Sequence, residues 1–82
     1  MSLTYAQKMA LGAKRATYRR RLQEVLDAQD LSGAALARQL GISSVAVYRT
    51  LSGQLHSPKV LDWLRTHGAP EKYLCDPRTS DN

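Results

Sequence analysis

The stretch GAALARQLGISSVAVYRTLS, residues 33–52, decides how this chain folds. Ala37 stands four residues before Gly41, and Val47 stands six after it. Two short helices joined by a tight turn cross steeply, so the residue at closest approach must be small, as Ala37 is. Gly41 suits the left-handed conformation that ends the first helix and permits the turn. Leu36, Leu40, Ile42, Val47 and Leu51 supply an apolar inner side. Serines stand where each helix should begin: Ser32 before the first, Ser43 or Ser44 before the second. Each hydroxyl can accept a backbone N–H that has no partner within the helix. The second helix should end near Ser52, with Gly53 as its stop.

Laid out at about 3.6 residues per turn, the second helix separates into two faces. Val47, Thr50 and Leu51 fall together and should point inward. Val45, Tyr48, Arg49 and Ser52 lie roughly opposite, with Ser44 at the exposed N-terminal end. A helix that reads DNA enters the major groove with its N-terminal residues nearest the base edges. Ser44, Val45 and Arg49 are therefore the candidates for base contact. Arg49 can pair with guanine O6 and N7 through two hydrogen bonds, and Val45 can meet a thymine methyl. Ser43, Tyr48 and Ser52 are better placed for phosphate or sugar.

Outward from this unit, the chain continues to read as helix. Leu11, Tyr18, Leu22, Val25 and Leu26 recur at helical spacing between Thr4 and Asp30. Gly12 weakens the early part by about 1 kcal/mol, so the firm helix is expected from about Ala16 to Ala28. After the central unit, Ser57 and Pro58 read as the cap and first residue of a helix ending at Gly68. Pro70 can open one more short turn through Tyr73 and Leu74. The expected fold is all-α: a compact four- to five-helix bundle with a basic N-terminal helix or arm. Residues 1–15 form the basic extension and residues 16–74 the domain. The polar residues 75–82 are expected to form a flexible tail.

Composition sets bounds on function. With 82 residues there is room for one domain, and the absence of Phe leaves Leu, Val and Ala to fill its core. The single cysteine, Cys75, excludes an internal disulfide framework. His56 and His67 lack neighbours for a metal site, so neither a metal nor another cofactor is expected. No P-loop or triad-like arrangement is visible, and a chain this small offers little pocket for catalysis, so an enzyme is not expected. Trp63 reads as a structural lid beside Leu64. No apolar run is long enough to span a bilayer, and the N-terminus does not read as a signal peptide. A cytoplasmic, nucleoid-associated setting follows as the expectation.

The net charge is +5, and its distribution is uneven. Residues 1–23 contain Lys8, Lys14, Arg15, Arg19, Arg20 and Arg21 but no acidic residue; all seven acidic residues lie from Glu24 onward. A one-sided basic surface suits a polyanion, because neutralised phosphates release condensed counterions. Arg15, Arg19 and Arg20 are expected on the outside of the first helix, against the DNA backbone. Arg38 and Lys59 are expected to add phosphate contacts that set register without reading sequence.

The 33–52 unit resembles the helix-turn-helix of the Cro/repressor, or lambda-repressor-like, superfamily. With the helix before it and SPKVLDWL after it, the resemblance extends over residues 16–68. LSGAALARQLG followed by a serine-rich turn is similar to the small Ner-type regulators of Mu-like transposable phages. Two positions depart from that pattern: Gly33 stands where a polar residue such as Gln often touches the DNA backbone, and Thr50 occupies a usually apolar slot. The resemblance implies a phage or prophage repressor that occludes an operator in double-stranded DNA, as a weak homodimer formed on DNA. The alternatives are a protein-interaction module that docks an acidic partner through its first helix, or an accessory DNA-binding factor for transposition or excision. No small-molecule ligand and no membrane partner is expected.

Overall fold

The computed structural model describes residues 3–79, whose regular structure is six α-helices. They are α1 (Tyr5–Thr17), α2 (Arg19–Ala28), α3 (Gly33–Leu40), α4 (Ser44–Leu51), α5 (Pro58–Thr66) and α6 (Glu71–Leu74). The all-helical expectation holds, with one helix more than the upper count. The extra helix is α1, which was expected to be part of a single basic segment with α2.

That segment breaks at Tyr18 and not at Gly12. Thr4 starts α1 through a reciprocal cap: its Oγ1 accepts from the Gln7 N–H at 3.1 Å, and Gln7 Oε1 accepts from the Thr4 N–H at 2.8 Å. The helix then runs through Gly12, because α1 and the end of α4 meet backbone to backbone there. A methyl group on Gly12 would overlap the Gly53 carbonyl, and one on Gly53 would overlap that of Gly12. Gly12 is thus kept for close approach, which offsets its poor helix propensity. The expected division between residues 15 and 16 falls inside α1.

The apolar core is built by α2 to α6. Leu22 and Leu26 of α2, Leu36 and Ala37 of α3, Val47 and Leu51 of α4 meet Val60, Leu61, Trp63 and Leu64 of α5, with Ala69 and Leu74 closing one end. Burying each large aliphatic side chain contributes about 1.5–3 kcal/mol. Val25, Leu31, Leu40, Ile42 and Tyr73 pack around this centre while half-exposed. Trp63 is buried and stacks on His67, with ring centroids 4.1 Å apart, in keeping with a lid over the core. The buried residues of α1 are Gly12 and Arg15, neither of them an apolar side chain.

Arg15 overturns one expectation outright. It was expected at the surface facing phosphate, and its exposure is 0%. Its guanidinium donates to the carbonyls of Leu74 (2.6 Å), Thr50 (3.1 Å), Leu55 (2.8 Å) and Cys75 (3.1 Å). A further bond, 2.8 Å long, joins Nη2 to His56 Nδ1. The planar fork of five N–H donors explains why an arginine can lie here: the five donors meet five acceptors, so the charge is solvated by protein.

The expected flexible tail also requires correction for residues 75–79. Cys75 and Asp76 are buried after α6. Asp76 Oδ2 accepts from Arg65 at 3.0 Å and from Arg78 at 2.9 Å, while Oδ1 accepts from the Arg78 backbone N–H at 2.9 Å. Burial alone would raise the pKa of this carboxyl, but the hydrogen bonds from Arg78 and Arg65 outweigh it and hold the group below the ordinary range. Arg78 also reaches Asp62 on α5 at 2.7 Å. A stretch polar enough to read as tail is thereby pinned to α5. Residues 80–82 of that expectation lie outside the described residues.

Candidate nucleic-acid interface

The helix pair α3–α4 follows its local chemistry closely. Ser32 Oγ accepts from the Ala35 N–H at 3.0 Å and Ser43 Oγ from the Ala46 N–H at 3.1 Å, capping both helices. Gly41 sits at φ 72°, ψ 33°, the left-handed region expected of it. The following N–H of Ile42 returns to the Ala37 carbonyl at 3.0 Å, which closes the turn. Ala37 is buried, as its place in the pair requires.

On α4 the two faces separate as the helical layout predicts. Val47, Thr50 and Leu51 are all fully buried. Val45 is 51% exposed and Tyr48 40%, large apolar surface left to solvent on a helix whose other face is sealed. Arg49 is exposed and Ser44 half-exposed. Thr50 fits its apolar slot because its hydroxyl donates to the Ala46 carbonyl at 2.7 Å. The buried hydroxyl of Thr50 is thereby satisfied within its own helix.

Gly33 has an explanation in Tyr48. A methyl group on Gly33 would overlap the end of the Tyr48 ring, which lies across the start of α3. The ring therefore takes the space that a larger residue at position 33 would occupy. This pairing of two positions 15 apart joins the first turn of α3 to the middle of α4.

The remaining candidates divide by how free their donors are. Ser43 is exposed, and its oxygen is engaged as a cap while its hydrogen is not. Ser52 instead donates its hydroxyl to the Tyr48 carbonyl at 2.8 Å, so a phosphate contact requires that bond to be exchanged. Arg38, Arg19 and Arg20 are exposed, the first on α3 and the others at the start of α2. Lys59 is exposed on α5, where Nζ donates to the Leu40 carbonyl at 3.2 Å, next to the end of α3. The structure thus brings Ser44, Val45, Tyr48 and Arg49 onto α4 with Ser43 and Ser52 as its caps, places Lys59 against the end of α3, and removes Arg15 to the interior.

The charge pattern around the pair is sharper than the N-terminal excess. No acidic residue occurs between Asp30 and Asp62, the whole span of α3, α4 and the loop after them. Among the described residues Arg38 and Arg49 make no ion pair, whereas Arg65 and Arg78 are neutralised by Asp62, Glu71 and Asp76. Counting runs without acids would have found this feature from sequence.

His56 is the functional-looking residue that local pattern reading left aside. It lies in the loop between α4 and α5, beside a cleft of about 500 Å³ lined also by Tyr5, Lys8, Met9 and Gln54. Tyr5 (79% exposed) and Met9 (56%) give this cleft an apolar rim. Among the described residues no group of three His, Cys, Asp or Glu side chains is placed to hold a metal. Among the described residues no helix is long and apolar enough to cross a membrane. Comparison with protein-family models, with curated proteins and with solved structures finds no match for this chain.

Proposed function

We propose that this protein is a non-catalytic, sequence-specific binder of double-stranded DNA that regulates transcription in the cytoplasm, with α3–α4 as its helix-turn-helix. The observation that carries the reading is α4. It buries Val47, Thr50 and Leu51 completely and turns Val45, Tyr48 and Arg49 outward, within a stretch free of acidic residues. α4 is the recognition helix, presenting Ser44, Val45 and Arg49 to base edges in the major groove. Arg38, Lys59, Ser43 and Tyr48 hold the flanking phosphates, and Arg19 and Arg20 extend that contact along α2. Repression follows by occlusion: the bound protein blocks polymerase or a competing regulator, as a weak dimer assembled on a palindromic site. An accessory role in transposition or excision uses the same groove contacts.

Selection of bound sequences from random double-stranded DNA at two salt concentrations tests the reading. An enriched inverted repeat with half-sites about one helical turn apart supports it. Absence of binding even at low salt refutes it. The exposed Tyr5 and Met9 beside Lys8 favour one second reading, an interaction module that docks an acidic protein partner at α1. That reading predicts a defined protein complex and little affinity for DNA.

A further inference from the structure

The contact between Arg15 and His56 is made by two groups that are both cationic when protonated. A guanidinium has no lone pair to accept a hydrogen bond, so at 2.8 Å the imidazole Nδ1 must be the acceptor. His56 is therefore neutral in this conformation, with its proton on Nε2. The bond also lies where three separate parts of the chain converge. Arg15 belongs to α1. Its other acceptors are Thr50 at the end of α4, Leu55 in the following loop, and Leu74 and Cys75 at the end of α6.

We infer that His56 is a proton-sensitive latch: neutral, it accepts from Arg15 and closes α1, the end of α4 and segment 74–76 into one unit; protonated, it repels Arg15 and lets α1 and that segment part. The latch is reachable, because His56 is half-buried and lines the cleft beside Lys8 and Met9. α1 has little else to hold it. The buried residues it supplies are Gly12 and Arg15, so the hydrogen bonds of Arg15 are the main attachment.

The charged groups around the ring favour release on protonation. Arg15 and Lys8 face it from α1, and both are cations. Asp76 faces it from the C-terminal segment, but that carboxylate is already held by Arg65 and Arg78. The Cys75 thiol lies beside Arg15 and is kept protonated by burial. Burial, then the Arg15 charge, hold the imidazole below its ordinary value of 6.5; the Lys8 backbone and Asp76 oppose this without reversing it. The closed form thus binds fewer protons than the open one. Closure is full above about pH 6.5 and weakens as the pH falls towards the lower value of the folded state. Asp76 does not share this window, since its own pKa is depressed from an already acidic range.

Amide hydrogen exchange on the intact chain, corrected for intrinsic rates, tests the latch at about pH 7.5 and about pH 5. His56→Asn supplies an acceptor near the Nδ1 position and cannot titrate. The native chain should lose protection in α1 and around Leu74 and Cys75 at the lower pH, while Leu26 and Leu36 keep theirs. The H56N variant should keep protection in all of them at both pH values. Uniform behaviour of the native chain, or an equal loss in H56N, overturns the proposal. Should H56N fail to fold, an NMR titration of the native chain decides. The α1 amide shifts must move with the His56 ring; movement of the ring without them, or movement with His67 instead, refutes the latch. None of these readouts involves DNA, so the latch stands or falls separately from the proposed function.

Discussion

Replacing Arg15 by Met separates its structural role from a role at the DNA surface. The substitution keeps an unbranched stem of similar width and removes every donor. Four backbone carbonyls and His56 Nδ1 then lose their partner at a site with no solvent exposure. An unsatisfied buried acceptor costs about 1–3 kcal/mol, so five in sum would be comparable to the entire stability of a typical domain. The loss is capped before that point, because water reaches the carbonyls once α1 and residues 74–76 move apart. A hydrogen bond to a charged group contributes about 1.5–3 kcal/mol, so the lasting loss of two of the five puts the expected cost at about 3–6 kcal/mol. Urea unfolding followed by Trp63 fluorescence measures it. At about 1 kcal/mol per molar of urea, the midpoint should fall by about 3 M or more, or the variant should be unfolded without denaturant. A variant with an unchanged midpoint and weakened DNA binding would refute the reasoning and return Arg15 to the surface.

The other predictions concern the interface and its supports. Arg49→Ala should remove about 1–3 kcal/mol of discrimination at one base position while leaving preferences elsewhere intact, as read by competition between single-base operator variants. Changing Arg19 and Arg20 together to Ala should weaken binding to all DNA alike and lower the slope of log K against log salt by up to about 2. Gly12→Ala and Gly33→Ala make a contrasting pair under thermal unfolding. The first drives a methyl into the Gly53 backbone and should cost about 1–3 kcal/mol. The second meets only the far end of the exposed Tyr48 ring, which can swing aside, so stability should change by less than about 0.5 kcal/mol while Tyr48 moves.

Short-range chemistry made α3–α4 legible. Ser32, Ser43 and Gly41 act on residues at most five positions away, and a helical layout of Ser44–Leu51 was enough to place Val47, Thr50 and Leu51 inside. What local reading could not reach depends on residues far apart in the chain. Arg15 bonds to Leu74, 59 positions on, and nothing near Arg15 distinguishes it from Arg19 or Arg20. Gly12 read as a weak point in a helix because its reason is Gly53, across the fold. Residues 75–79 looked like tail because their polarity is real, but Asp76 neutralises Arg65 and Arg78 where solvent would otherwise have to. Of the candidate interface, the α4 residues followed from periodicity; the acid-free span and the seating of Tyr48 over Gly33 did not.

The way α1 is attached has a thermal consequence. The core of α2 to α5 is held by apolar burial, whose driving force fades on cooling and whose loss exposes surface that raises heat capacity. α1 is held by a guanidinium among carbonyls and by glycine backbones in contact. The residues it buries are Gly12 and Arg15, so its detachment exposes less hydrocarbon, and carries a smaller heat-capacity change, than opening the core. Chilling should loosen Leu22, Leu26 and Leu61 in the core sooner than it loosens this helix. The N-terminal helix is thus the part of the molecule whose hold is least sensitive to cold.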